Sequence, residues 1–271
     1  MSVDFETVGD AEIEVRRYGT GQPLLYLHAE DGLIFSGPLL EALAQDYEVI
    51  APHLPGFGRS SRPGYVKTVR DLALVVSEFL ERLAGPIPIV GSSIGAWVAL
   101  EVALLAKANV SALVLASPVG IKLGDREERD FEDLWMADFD SVPGILYGDR
   151  SKAPDLNQLS DDELLHLTTC QEAVARYCWV PYMHDPALRH WARRVQCPVL
   201  IVSGSADHFA LVPGYYERLT EVIGGDPVHR SIDGAGHRLE EEVPSALARL
   251  VADFVRRDGS RPEAAASARR G

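Results

Sequence analysis

Residues 90–96 read Val-Gly-Ser-Ser-Ile-Gly-Ala, and Ser93 has a glycine two positions away on either side. A short apolar run, residues 86–90, leads into this stretch, and a long apolar run, residues 96–105, leaves it. The pattern predicts a strand, a sharp turn and a helix, with the serine hydroxyl standing out at the turn. Small neighbours are needed there because the adjoining strand and helix pass close by. A serine hydroxyl becomes a useful nucleophile only when a base takes its proton and a third group orients that base. The chain offers both, in the order Ser93, Asp207, His237: Asp207 closes the apolar run 198–207, and His237 follows Asp-Gly-Ala-Gly after the last strand-like segment. The chemistry suggested is nucleophilic displacement through a covalent intermediate on Ser93. Its developing negative charge needs two donors, and the amide of Ile94, directly after the serine, is one.

The other histidines of the eight in the chain read as structural. His166, His184, His190 and His229 fall on cap or surface segments. His208 adjoins Asp207 and is badly placed to bridge it to Ser93. His28 and His53 read as anchors of the loops after two early strands.

These residues must be held by a scaffold, and the rest of the chain describes one. Apolar runs at 23–30, 47–54, 86–92, 110–118, 197–207 and 227–233 alternate with helical patterns at 36–46, 68–84, 94–105, near 213–223 and at the C-terminal end, where Val243, Leu247, Leu250 and Phe254 recur at helical spacing. Thr68 stands where an N-cap belongs. Val/Ile/Leu-rich strands alternating with helices predict an α/β fold, a mostly parallel sheet flanked by helices on both faces. The alternation stops between Val119 and Gln196, where acidic-led helical patterns at 125–139 and 160–180 predict a helical cap over the strand ends, inserted after the strand that follows the helix from Ile94. The expected organisation is a core of 1–118 and 197–257, a cap of 119–196 and a disordered tail of 258–271.

Composition narrows the function. The 271 residues are 46% hydrophobic, enough for one large core or a core with a subdomain. The formal net charge of −14 argues against nucleic acid as a partner. No apolar stretch approaches the roughly 18 residues of a membrane span, and the acidic opening residues lack the features of a signal peptide, so a cytoplasmic location is expected. The three cysteines, Cys170, Cys178 and Cys197, form no disulfide framework and no metal-binding spacing, and read as packing residues. A small-molecule substrate, no metal and no cofactor are expected, in a monomer or homodimer.

Taken together, Leu-His-Ala-Glu-Asp-Gly at 27–32, the segment 51–60 (APHLPGFGRS), the serine turn at 90–96, Ser-Gly-Ser-Ala-Asp at 203–207 and Gly-Ala-Gly-His at 234–237 resemble the α/β-hydrolase superfamily over nearly the whole chain. That resemblance implies the α/β-hydrolase fold, Ser93 as nucleophile, His237 as general base and then acid, and Asp207 as its orienter. It implies a second oxyanion donor from the loop after Leu27, the amide of Glu30, with that of Ala29 as the alternative. Here the chain departs from the superfamily's His-Gly loop, carrying Ala29 and then two acidic residues. The cap segments 118–130 and 181–191 resemble those of small esterases and meta-cleavage-product hydrolases.

Within this superfamily a serine nucleophile excludes the branches that use aspartate, the haloalkane dehalogenases and epoxide hydrolases. Hydrolases that cleave carbon–carbon bonds usually carry Asn before the nucleophile and Trp after the histidine, where this chain has Ser92 and Arg238. Hydrolysis of an ester, lactone or thioester is therefore the expected activity, with carbon–carbon hydrolysis and ligand binding without catalysis as alternatives. Large apolar cap residues, Trp135, Phe139, Tyr177, Trp179, Tyr182 and Met183, are candidates to line a mainly apolar pocket. Arg189 and Arg193 read as solvated helix-face charges.

Overall fold

The apolar runs do become strands. In the computed structural model, which describes residues 1–258, β1 (Ser2–Val8), β2 (Ala11–Tyr18), β3 (Gln22–Leu27), β4 (Tyr47–Pro52), β5 (Ile87–Ser92), β6 (Val110–Ala116), β7 (Val199–Gly204) and β8 (Val228–Ile232) form one sheet. Its order is β1-β2-β4-β3-β5-β6-β7-β8. From β4 to β8 all neighbours are parallel, while the opening β1–β2 hairpin is antiparallel and joins β4 antiparallel. The central strands β5 and β7 are buried along their entire length, as runs covered on both faces must be. This is the mostly parallel α/β architecture that the sequence predicts. The tail expected at 258–271 falls, apart from Asp258, outside the described residues.

Helices α1 (Gly37–Leu43), α2 (Val69–Glu81), α3 (Ile94–Leu105), α4 (Val142–Leu146), α5 (Asp161–Cys178), α6 (Leu188–Trp191), α7 (Tyr215–Leu219), α8 (Leu239–Glu242) and α9 (Pro244–Asp258) surround it. On one face α2 and α3 pack with Leu25, Leu27, Ile89 and Leu115. On the other, α1 and α9 close over Leu24, Tyr26, Val90 and Val114. Thr68 caps α2 as expected: its hydroxyl accepts from the Asp71 amide, and the Asp71 carboxylate accepts from the Thr68 amide. Ser160 and Glu163 make the same reciprocal pair at the start of α5.

Between β6 and β7 lie α4, α5 and α6 with short 3-10 turns. The predicted helix at 160–180 is α5. The one predicted at 125–139 does not form: apart from a 3-10 turn at Phe139–Ser141, that stretch is turns and a bridge from Phe131 to Ala210. The acidic residues that suggested a helix start bond the backbone instead. Asp130, buried, accepts from the Leu123 and Gly124 amides and pairs with Lys122 at 2.8 Å, folding the segment back on itself.

Candidate active site

Ser93, Asp207 and His237 all stand just beyond the C-terminal ends of parallel strands, β5, β7 and β8. Open α/β sheets bind their ligands along that edge. Ser93 sits between β5 and α3 at φ +48°, ψ −113°, a conformation that costs a residue with a side chain of order 1–3 kcal/mol. The surrounding glycines explain how it is tolerated. A Cβ on Gly91 would run into the Gly95 carbonyl, and one on Gly95 into the Leu27 and His28 carbonyls of the neighbouring strand end. The structure thus holds the serine on the strained turn that the sequence predicts.

The side chains form one hydrogen-bonded chain. Ser93 Oγ lies 2.9 Å from His237 Nε2, and His237 Nδ1 lies 2.9 Å from Asp207 Oδ2. Ser93 and His237 are buried, as is the side chain of Asp207. Asp207 also accepts from the Phe209 amide at 2.8 Å and from the Tyr216 hydroxyl at 2.5 Å. Burial alone would raise the pKa of Asp207, but the charge and hydrogen bond of His237, together with the Tyr216 and Phe209 donors, outweigh it and hold the carboxyl below its ordinary value. Asp207 is thereby kept as an anion against the imidazole. Phe209 packs edge-on to the His237 ring at 4.6 Å. The backbone of His237 is tied to the segment after β6, its amide donating to the Leu146 carbonyl at 2.8 Å.

Ile94 is the first residue of α3, so its amide lacks an acceptor within the helix and is available beside Ser93. His28 and His53 anchor loops, each through a ring nitrogen that accepts from a backbone amide: His28 from Leu54 at 3.0 Å, His53 from Leu33 at 3.2 Å. Burial pushes the His28 ring down to about 3, which keeps it neutral for that task.

The structure adds what the sequence reading did not name. The Glu30 side chain turns inward, and its Oε1 accepts a hydrogen bond from Ser93 Oγ at 2.5 Å. Its other oxygen lies 2.9 Å from Arg238 Nη1, and Arg238 Nη2 lies 2.8 Å from Asp31. Arg238 is buried among Glu30, Asp31, Glu240 and Glu241; burial would lower its pKa, but its acidic neighbours, Asp31 and Glu30 foremost, outweigh that and hold it above its ordinary value. The sequence did carry a signal: Ala29 and then two acidic residues on the loop that resembles the superfamily's His-Gly loop, and Arg238 directly after His237. A negative charge developing about 4 Å from the Glu30 carboxylate would meet a repulsion of about 4 kcal/mol at an effective dielectric of 20. Any substrate must deal with that carboxylate.

The candidate pocket residues separate into two groups. Tyr177 and Met183 are buried, and Tyr177 donates to the Pro55 carbonyl at 2.9 Å, fastening α5 to the core. Tyr182 is partly buried, and burial, with smaller contributions from Asp133 and then Glu30, pushes its phenol up. Trp135 and Trp179 are both 45% exposed and Phe139 74%, so these three turn substantially to solvent. Trp179 packs edge to face with both Trp135 and Tyr182, its ring centre 6.0 Å from each. Arg189 and Arg193 are exposed, and Arg189 borders a surface cavity of about 660 Å³ with Lys122, Asp133, Tyr182 and His184. Among the described residues no group of three or more His, Cys, Asp or Glu is arranged to hold a metal ion.

Residues 24–250 match the model of the alpha/beta hydrolase family, and the chain belongs to that family. It is 26% identical over 280 residues to 2-hydroxy-6-oxo-6-(2'-aminophenyl)hexa-2,4-dienoic acid hydrolase of Metapseudomonas resinovorans, covering 97% of this chain and 93% of that one. It is 25% identical over 267 residues to pyrrolizixenacetamide deacetylase of Xenorhabdus hominickii, covering 92% and 96%. Among solved structures, a thermophilic esterase from Thermogutta terrifontis superposes with a TM-score of 0.75 at 21% identity, covering 96% of this chain and all of that one. The fold is the α/β-hydrolase fold. Among the described residues no helix is long and apolar enough to cross a membrane.

Proposed function

We propose that this hydrolase cleaves a small carboxylic ester, lactone or thioester through an acyl-enzyme on Ser93. The observation that carries the reading is the unbroken hydrogen-bonded chain from Ser93 through His237 to Asp207, 2.9 Å at each link. Ser93 Oγ attacks the carbonyl carbon while its proton passes to His237 Nε2. Asp207 stabilises the imidazolium and fixes the ring so that Nε2 faces the serine. The oxyanion is received by the amide of Ile94 and by a second amide from the Glu30 loop. His237 then returns the proton to the leaving oxygen or sulfur, and water repeats the sequence to release the acid.

The segment 119–196 acts in this reading as a cap. Supporting it are the contacts it makes with the site loops: Gln171 donates to Asp31 at 3.0 Å, Tyr177 to Pro55, and His237 donates through its amide to Leu146. A second reading, carbon–carbon hydrolysis of a vinylogous 1,5-diketone acid, draws on the likeness to the dienoic acid hydrolase over nearly the full chain. Comparing kcat/KM on a short aryl ester and on such a diketone acid tests the choice. Ester turnover with an inert diketone is the expected result; the reverse would assign the carbon–carbon activity.

A further inference from the structure

The Ser93 hydroxyl has one hydrogen and two acceptors. His237 Nε2 lies at 2.9 Å and Glu30 Oε1 at 2.5 Å. While the hydrogen points to Glu30, His237 cannot take it, and the serine is held from attack. Glu30 is not free to swing away: it is 6% exposed, and its second oxygen is pinned 2.9 Å from Arg238, which is itself 3% exposed and clamped by Asp31. The neighbourhood carries more acid than base, since Glu30, Asp31 and Glu240 face the single guanidinium.

We propose that Glu30 is a specificity-determining residue that selects substrates bearing an ammonium group on the α- or β-carbon of the acyl group, two or three bonds from the scissile carbonyl carbon. This deepens, and rests on, the reading of the chain as a serine hydrolase. The distance from Ser93 sets the position of the charge. Attack brings the carbonyl carbon to about 3 Å from Oγ, and a donor about 2.8 Å from Oε1 then falls beside the α- or β-carbon of the acyl group. An ammonium is compact and brings three donors. By hydrogen-bonding Oε1 it displaces the serine hydrogen, which turns to His237, and its charge offsets the repulsion between the carboxylate and the forming oxyanion. In the step that follows, the Oγ–carbon bond forms as the serine proton moves to Nε2. The bond to the leaving group breaks as that proton returns to the leaving atom, and the ammonium keeps all its protons throughout. A neutral acyl group provides no such release.

The test uses L-alanine benzyl ester and benzyl propionate, which differ only in the ammonium, below the pKa of the amine. The unmodified enzyme is expected to favour the alanine ester in kcat/KM by about tenfold or more. In Glu30→Gln, an isosteric and uncharged change, that preference should fall to near one, with turnover of the propionate rising; Glu30→Asp should keep part of it. Folding of each variant is checked by circular dichroism and thermal melting. Calorimetry on Ser93→Ala provides a readout without turnover: alaninamide should bind and propionamide should not. Equal turnover of both esters by the unmodified enzyme, or an unchanged ratio in Glu30→Gln, overturns the proposal and leaves the hydrolase reading standing. Binding of alaninamide that is lost in Ser93→Ala/Glu30→Gln, with neither ester turned over, supports the ammonium site and removes the hydrolase reading. Failure of alaninamide to bind, with neither ester turned over, overturns both.

Discussion

Asp207 illustrates how much of this site depends on the partners of single atoms. Its Oδ2 meets both His237 Nδ1 and the Tyr216 hydroxyl, and the second contact lowers its proton affinity without touching Ser93. Asp207→Asn keeps the shape but lets the imidazole take the wrong tautomer, and kcat should fall by about 10³–10⁴-fold with little change in KM. Steady-state kinetics on an aryl ester checks this. Tyr216→Phe removes one hydrogen bond to a buried carboxylate and should cost about 1.5–3 kcal/mol of stability. The same change leaves the Asp207 pKa less depressed. The stability it contributes above the carboxylate range is then smaller and is lost at a higher pH on acidification, so the acid-unfolding midpoint should move upward. An unshifted midpoint would mean that the tyrosine does not tune Asp207.

At the scale of elements, α8 joins the histidine loop to the segment after β6. The Glu242 carboxylate accepts from the amides of Gly236 at 2.7 Å, Gly148 at 3.1 Å and Asp149 at 2.8 Å. Glu242→Ala leaves all three donors without that partner and should destabilise the protein by about 2–4 kcal/mol. Amide exchange should rise together at residues 146–149 and 234–237; a rise confined to one of the two would contradict the tether. The elements best legible in the sequence were those with local rules. Buried β5 and β7, the Thr68 cap and the glycine-flanked turn each follow from a few adjacent residues. The stretch 125–139 was not legible, because whether Asp130 starts a helix or bonds the amides of Leu123 and Gly124 depends on how the chain returns on itself. The β1–β2 hairpin is also hard to read from the sequence, although Ala11, Ile13 and Val15 alternate with acids in β2. Its first strand is mostly exposed and so lacks the apolar run that marked the others.

The whole molecule carries a formal charge of −14, and several of its acids are gathered around Arg238. Burial, with Glu240 and Asp31 nearby, pushes Glu241 from an ordinary 4.5 to about 8 despite the opposing pull of Arg238. The folded protein therefore holds a proton that the unfolded chain gives up at lower pH. Stability from this group is fully present below about pH 4.5 and is lost as pH rises through about 8. Asp207 and Glu14, both held below their ordinary values, act in the opposite sense when acid is added. The melting temperature should accordingly fall between about pH 6 and pH 9, and Glu241→Gln should flatten that slope. An identical slope in the variant would assign it to other groups. This cluster also marks the limit of the sequence reading of the site. Ser93, Asp207 and His237 sit in recognisable local motifs, whereas the meeting of Glu30 with Arg238 comes only when the ends of β3 and β8 are brought to one edge of the sheet.

That edge is where a serine-directed organophosphonate should react. Mass spectrometry of the treated protein should show a single adduct on the peptide containing Ser93, formed in parallel with loss of ester turnover, and Ser93→Ala should show neither adduct nor turnover while keeping its fold. An adduct on another residue, or a Ser93→Ala protein that remains fully active, would contradict the assignment of Ser93 as the nucleophile.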